Sequence, residues 1–434
     1  MTLTSLHVTN AWHDQSGGIQ TFYRALLQGA ADAGRRVVLV VPGERDGCED
    51  HGMNGCIHSV AAPRAPAFDR RYRILYPHRF LPGAGGSVAR VVARERPDVL
   101  EICDKYSLPY LAALLRKGWL RGLARPRLLV GLSCERFDDN LAAYVAGGRA
   151  SRAFTRWYLR HIYGPPFDVH LANSVYTADE LRAAFYDRSP GFVQLCPTGV
   201  DGSAFGPARR SPALRTRLLA QLGIAPEGRL ILYAGRLSPE KNLPLLMESV
   251  CRFMRQPAGA RVGLIVAGDG PLRPTLSESA TALLGGRAVF TGHLSRELLA
   301  SHYASCDVFV HPNTREPFGI APLEAMASGV PVVLPAAGGV LTYATAANAW
   351  LAAPTPEAFA GAIESALDGD PARIAAARHT AARFAWPRVV ADYFALQDRL
   401  LAAPPTLARE PRRRGALWGT QLYRAETRPQ RPHR

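Results

Sequence analysis

Lysine is almost absent: Lys105, Lys117 and Lys241 are the only three in a chain of 434 residues. Arginine carries the positive charge instead, and the formal net charge is +16. An arginine bias this strong in an alanine-rich chain is attributed to genome composition, so the raw charge is discounted. Two readings of the excess stand level. One is a generically basic surface; the other is attraction to an anionic membrane or an acidic acceptor. The arginines outside the tail are dispersed, and no zinc-finger or RNP-type signature accompanies them. Nucleic acid is not expected as a partner. Paired cysteine motifs are missing as well. The seven cysteines, Cys48, Cys56, Cys103, Cys134, Cys196, Cys251 and Cys306, are scattered and never form CxxC. That argues against a disulfide framework or a zinc ribbon, and for a reducing compartment. No apolar run is long enough to span a bilayer, and MTLTSLHVTNAW lacks the pattern of a signal peptide. The expectation is a cytoplasmic protein with peripheral contact, if any, at the inner face of the membrane. Finally, no GxGxxG follows a strand. The nearest string, GAGGS at Gly83–Ser87, follows RFLP, which disfavours a dehydrogenase.

What is present is alternation. Short apolar, β-branched runs recur between amphipathic stretches, the pattern of α/β units around a parallel sheet. In the first half strands are predicted near Ser5–Val8, Arg36–Val41, Asp98–Ile102, Arg127–Leu132, Val169–Ala172 and Phe192–Leu195. Helices are predicted at Ile19–Ala33, Ser87–Arg96, Leu108–Lys117, Asn140–Tyr163 and Thr177–Tyr186. Ser174 and Thr177 are candidate caps for the last, and Glu180 stands at capping-box spacing from Thr177. The Gly- and Pro-rich stretch Pro197–Pro212 reads as an interdomain connection. Alternation then restarts at LILYAG (Leu230–Gly235) and runs to a final amphipathic helix, Trp386–Leu401. Two doubly wound Rossmann-like domains are therefore expected, covering 1–198 and 199–385. The Pro- and Arg-rich tail, 402–434, is expected to be poorly ordered. Ligands of such sheets bind beyond the carboxyl ends of the strands, and each motif below falls at such an end.

GRLSPEKN (Gly235–Asn242) leaves a buried strand and enters a helix. Arg236 and Lys241 stand five positions apart in it, so a planar fork of donors and a compact ammonium can both reach one anion, such as a diphosphate. A plain solvated loop is the alternative, but a lysine here is informative because lysine is so scarce. REPFGIAPLEAMASGVPVV (Arg315–Val333) puts Glu316 before a turn formed by Pro317, Phe318 and Gly319, which leads into a helix containing Glu324. Such a turn presents free helix N–H groups to a phosphate. Gly319 to Glu324 rises about 7–8 Å, so the two carboxylates suit a ligand with a hydroxylated ring at each end: a nucleotide sugar. The alternative is one capping and one solvated glutamate. DQSGGIQTFYRALLQGA (Asp14–Ala30) places Gly17 and Gly18 at the start of the first helix, where the backbone can approach a ligand closely. Alone, that signal is weak.

Taken with ANSVYTADEL, CPTGVDGSAF, VAGDGPL and FTGHLSRELLASHYASCDVFVHP, these strings make the chain resemble family-4 glycosyltransferases, retaining enzymes of GT-B fold that use nucleotide sugars. The resemblance runs almost end to end and is weakest over Gly43–Ala84. It implies two domains facing across a cleft, with the helix 386–401 crossing back onto the first. It implies that Gly18 contacts donor phosphate, that Arg236 and Lys241 neutralise the leaving diphosphate, and that Glu316 binds sugar hydroxyls. Phe318, Gly319 and Ile320 would offer backbone N–H groups, Glu324 would hold the ribose, and Gly292, His293 and Leu294 would flank the base. Many members carry a histidine near the sugar after a middle strand of the N-terminal domain. In LLVGLSCERFDDN, Ser133 or Glu135 stands there instead.

The resemblance implies a hexose donor, GDP-mannose or a UDP-sugar, with EICDKYSLPYLA pointing toward the bacterial mannosyl-transfer branch. The acceptor would be lipid-linked or a polysaccharide of the cell envelope. No cofactor and no metal ligands are expected. Asp368-Gly369-Asp370 matches a metal-binding DxD but lies in an apparent surface turn. Other GT-B chemistry, a phosphorylase or an epimerase, and a catalytically silent sugar-nucleotide binder stay open.

Overall fold

The computed structural model describes residues 2–12, 17–65, 72–81, 86–144 and 148–403. Asp14, most of Gly83–Ser87 and the tail from 404 onward lie outside the described residues.

The strands are β1 (Thr4–Thr9), β2 (Arg36–Gly43), β3 (Gly47–His51), β4 (Gly55–Ala61), β5 (Val99–Cys103), β6 (Leu128–Ser133), β7 (Val169–Ala172) and β8 (Val193–Leu195), then β9 (Arg229–Ala234), β10 (Val262–Ala267), β11 (Ala288–Gly292), β12 (Val308–Val310), β13 (Val332–Pro335) and β14 (Trp350–Ala352). The first eight form one sheet in the order β3-β4-β2-β1-β5-β6-β7-β8, the last six another in the order β11-β10-β9-β12-β13-β14. Every pairing is parallel except β3 with β4. The runs VVLVV and VGLIVA are buried along their length because helices cover both faces of each sheet. In each sheet the chain starts centrally, winds outward one way, then returns to wind the other. The order therefore reverses between β1 and β5 and again between β9 and β12, where crevices open for ligands.

The Trp386–Ala402 helix packs on the first sheet, not on the second that precedes it. Val390, Tyr393, Phe394, Leu396 and Leu400 join Phe22, Leu26 and Val37 in one apolar cluster. The outward and return connections touch: Phe384 O accepts from Val200 N at 2.8 Å, and Val200 O from Trp386 N at 3.2 Å. Beneath this helix lies a buried polar knot. Glu101 accepts from Tyr23 Oη at 3.0 Å and Tyr393 Oη at 2.6 Å, and its Oε1 lies 3.0 Å from His7 Nδ1.

Several elements differ from expectation. The β3–β4 hairpin, β14 and the Pro212–Gln221 helix have no counterpart among the predicted elements. In β3 every residue but the last is exposed, so its sequence shows no apolar alternation. The predicted single helix Asn140–Tyr163 is two, Phe137–Tyr144 and Arg149–Tyr158, followed by a π-helical turn at Leu159–Tyr163. The second begins at Gly148, whose φ of +117° breaks the helical path. The capping box before Val175–Ala184 is Ser174 with Thr177, not Thr177 with Glu180. Glu180 is instead buried, taking a 2.9 Å bond from Lys105 Nζ and a 2.8 Å bond from Asp138 N. In the DxD string, Gly369 turns the chain at φ +81° and Asp370 caps the next helix by accepting from Arg373 N.

Candidate active site

The loops leaving β9 and β12 flank the reversal point of the second sheet, and they bring Lys241 and Glu316 together. Lys241 Nζ donates to Glu316 Oε2 at 2.8 Å. Asn313 Nδ2 donates to the same oxygen at 3.0 Å, and His311 Nε2 lies 3.1 Å from it. Among the described residues Oε1 takes no donor. Glu316 is buried, which by itself would raise its pKa. The Lys241 ammonium and the His311 contacts outweigh that and hold the carboxyl well below the usual range. The group therefore stays ionised at any working pH, with one oxygen saturated and one available.

Gly319 follows at φ +87°, a left-handed conformation that L side chains rarely adopt. A Cβ here would crowd Tyr343 Oη, Val340 and Glu316 Cγ at 3.0–3.2 Å. Tyr343 Oη donates to Gly319 O at 2.6 Å and fixes the turn. Phe318 turns inward against Tyr343 and Phe384, so only its backbone is available to a ligand. The Ile320–Ala327 helix then starts with no side-chain cap and no acid in its first turn. The Gly18–Gly29 helix starts in the same way after Gly17. These two starts meet: a Cβ on Gly18 would lie 2.9 Å from Ile320 Cδ1. Ser211, Ser295, Thr355 and Asp370 cap their helices through side-chain oxygens, while helices such as Ser87–Glu95 and Arg273–Leu284 also start uncapped, so what sets these two starts apart is that they meet. Uncapped N–H groups with the positive end of a helix dipole behind them favour an anion.

Glu324 lies deeper in the same helix, partly exposed, and accepts from Tyr303 Oη at 3.1 Å. Burial pushes its carboxyl up to about 7, and the Tyr303 bond only partly offsets this. The site thus holds two carboxylates of opposite character, one fixed as an anion and one near its titration point. Arg236 is half-buried at the β9 exit, and its carbonyl accepts from Tyr233 Oη at 3.1 Å. Gly292 ends β11, His293 is exposed, and Leu294 packs partly against the core.

Ser133 and Glu135 leave β6 on the facing sheet. The Ser133 hydroxyl is spent locally, donating to Glu135 O at 3.1 Å. Burial raises the Glu135 carboxyl, opposed by Lys105 and Asn140. Both belong to a first-half cluster and do not join the Lys241–Glu316 group. The halves meet elsewhere as well: Val175 N donates to Thr342 Oγ1 at 3.1 Å, and Arg315 Nε lies 3.8 Å from Asp139 Oδ1.

His311, Asn313 and Tyr303 were not anticipated from sequence as members of the site. Tyr303 and His311 lie inside a string that carries the family resemblance and Asn313 just past its end, but a loop of unknown path gives no means of aiming His311 and Asn313 at Glu316. Tyr303 reaches Glu324 from a neighbouring helix.

Residues 17–193 match the glycosyl transferase 4-like domain, and residues 215–383 match glycosyl transferases group 1. A GDP-mannose-dependent alpha-(1-6)-phosphatidylinositol dimannoside mannosyltransferase of Mycobacterium tuberculosis is 29% identical over 394 residues, 90% of this chain and 94% of its own. A GDP-mannose-dependent alpha-mannosyltransferase of Corynebacterium glutamicum is 30% identical over 327 residues, 74% of this chain and 70% of its own. Sucrose-phosphate synthase from Thermosynechococcus elongatus superposes with a TM-score of 0.69 at 19% identity, covering 93% of this chain and all of that one. The fold is GT-B, and the chain belongs to the family-4 glycosyltransferases.

Proposed function

We propose that this glycosyltransferase moves mannose from GDP-mannose to a lipid-linked acceptor, with retention of configuration and without a catalytic metal. The observation that carries the donor site is the meeting of two uncapped helix starts, at Gly18 and Ile320, beside the Lys241–Glu316 pair. The mannose and the glycolipid class rest on the Mycobacterium and Corynebacterium relatives.

In this reading residues 199–385 bind the donor, and 1–198 with the helix 386–401 bind the acceptor. The diphosphate takes the N–H groups of Phe318, Gly319 and Ile320, with Gly18 above and Lys241 and Arg236 beside it. Glu316 Oε1 accepts from mannose hydroxyls, and Glu324 accepts from the ribose. Gly292, His293 and Leu294 flank the base. The C1–O bond to the β-phosphate breaks as the acceptor oxygen bonds C1 on the same face. The acceptor proton passes to a phosphate oxygen, and GDP leaves. Fixed cationic and N–H groups stabilise the charge growing on the diphosphate, the work a metal does in other transferases.

The acceptor side supports a membrane-resident substrate. The Arg149–Tyr158 helix exposes Phe154 and Trp157 among Arg152 and Arg156, a basic amphipathic face suited to the anionic interface. No described helix is long and apolar enough to cross a bilayer.

Thermal-shift measurements with GDP, UDP and ADP and their sugars test the donor. The expectation is a selective rise in Tm with GDP and GDP-mannose; a selective rise with UDP-glucose overturns the mannose assignment. Vesicle sedimentation tests the membrane face: Trp157→Ala with Phe154→Ala should release the protein from anionic vesicles, and unchanged binding overturns that part.

A further inference from the structure

The hairpin absent from the predicted elements, β3–β4, gathers two cysteines and a histidine that the sequence keeps apart. We propose that Cys48, Cys56 and His58 bind a zinc-class divalent cation, with water as the fourth ligand.

The antiparallel register pairs Cys48 with His58 and Asp50 with Cys56. Directly opposed residues share a face, and so do residues two apart on one strand. All four side chains therefore rise from one face of the hairpin. The three N/S ligand atoms already converge: Cys48 Sγ to Cys56 Sγ is 2.8 Å, Cys56 Sγ to His58 Nε2 is 3.3 Å, and Cys48 Sγ to His58 Nε2 is 3.8 Å. A tetrahedral zinc with bonds of about 2.0–2.3 Å sets such edges at roughly 3.5–3.8 Å. Two of the edges are near that range, and the third needs the thiols to part by about 1 Å. Cys48 is exposed and can make that movement. Asp50 and Glu95 add negative charge around the cluster, both acting on Cys56 and His58, and Glu95 Oε1 lies 3.9 Å from His58 Nε2. Two thiolates and an imidazole select zinc over calcium or magnesium.

The point of convergence already receives a cation. Arg94 Nη2 lies 2.6 Å from His58 Nε2 and, as a donor, meets an unprotonated nitrogen whose lone pair is directed at the cluster. The Arg94 side chain is 59% exposed and can swing into solvent when a metal arrives. Binding breaks two S–H bonds, forms two S–metal bonds and releases both protons to water, with no change of oxidation state. The consequence is mechanical. β3 is an edge strand held to the sheet by β4 alone, and the cation ties the two together.

Cobalt titration of metal-stripped full-length protein tests this directly. The expected result is one equivalent bound, with thiolate-to-cobalt charge-transfer absorption and the visible bands of a tetrahedral site. Zinc should displace it and raise Tm. Cys48→Ser, at an exposed position, should weaken zinc binding at least about tenfold, while Arg94→Ala should bind zinc as tightly as the parent or more so. Absence of the charge-transfer band, or undiminished zinc affinity in Cys48→Ser, overturns the proposal. So does a Cys48–Cys56 disulfide that forms as readily in zinc-saturated as in zinc-free protein.

Discussion

Each half of the molecule buries a carboxylate, and the two are used in opposite ways. Glu101 sits inside β5 with no exposure, and both of its oxygens are engaged, one by His7 and Tyr23, the other by Tyr393. Glu316 sits past the end of β12, and Lys241, His311 and Asn313 all converge on one oxygen. A saturated carboxylate in mid-strand can only hold structure together; here it ties the returning helix to the first sheet. A half-saturated one at a strand end has capacity left for a ligand. The distinction lies in how three donors divide between the two oxygens and in the place in the sheet, since burial is common to both.

The largest effect should come from the second carboxylate's partner. On the proposed mechanism Lys241→Ala removes the cation beside the leaving group and should lower kcat by ~10²–10³-fold, measured as GDP release during transfer. A loss under about twofold would make the Lys241–Glu316 pair structural, like the knot at Glu101, and erase the contrast.

Glu101→Gln should do the reverse. It should cost about 3 kcal/mol in denaturant unfolding, because one of the two acceptor oxygens becomes an amide donor facing buried partners, while turnover per folded molecule stays near the parent's. Lost turnover with unchanged stability breaks the comparison from the other side.

Glu324 sharpens it through pH. Its folded pKa is near 7 against an ordinary 4.5. Between those values the folded protein keeps a proton that the unfolded chain releases, so donor-free stability falls as pH rises from about 4.5 to 7, then levels. Glu324→Gln removes that slope. Its Tm advantage over the parent should be flat below pH 4.5 and widen toward pH 7, while its donor affinity falls. A pH-independent gap contradicts the shifted carboxyl.

Gly18→Ala should raise the donor KM a few-fold with little change in Tm, because the added methyl meets only the flexible end of Ile320. The smallest effect belongs to Arg315→Ala. Its 3.8 Å pair with Asp139 is largely solvated on the arginine side, and its loss should cost no more than about 0.5 kcal/mol.

In the second half the Pro212–Gln221 helix and β14 went unpredicted, but its ligand loops were more legible in sequence than those of the first. Its central strands are short apolar runs, and the predicted LILYAG (Leu230–Gly235) matches Arg229–Ala234 to within one residue at each end. Lys241, Glu316, Gly319 and Glu324 could be located because each is fixed by a strand end or a helix start, features that local pattern reveals. β3 escaped notice because its exposed polar residues carry no apolar period. His311 and Asn313 escaped because loop conformation, not spacing, aims them at Glu316. Ser133 and Glu135 were named only where the family carries a histidine, and the structure gives the Ser133 hydroxyl a local bond to Glu135 O.

The most direct test is a crystal structure with GDP and an unreactive mannose. The expected result is phosphate oxygens within hydrogen-bond distance of the Phe318–Ile320 N–H groups and of Lys241, with a mannose hydroxyl on Glu316 Oε1. A diphosphate bound away from the Gly319 turn, with Glu316 Oε1 untouched, would contradict it.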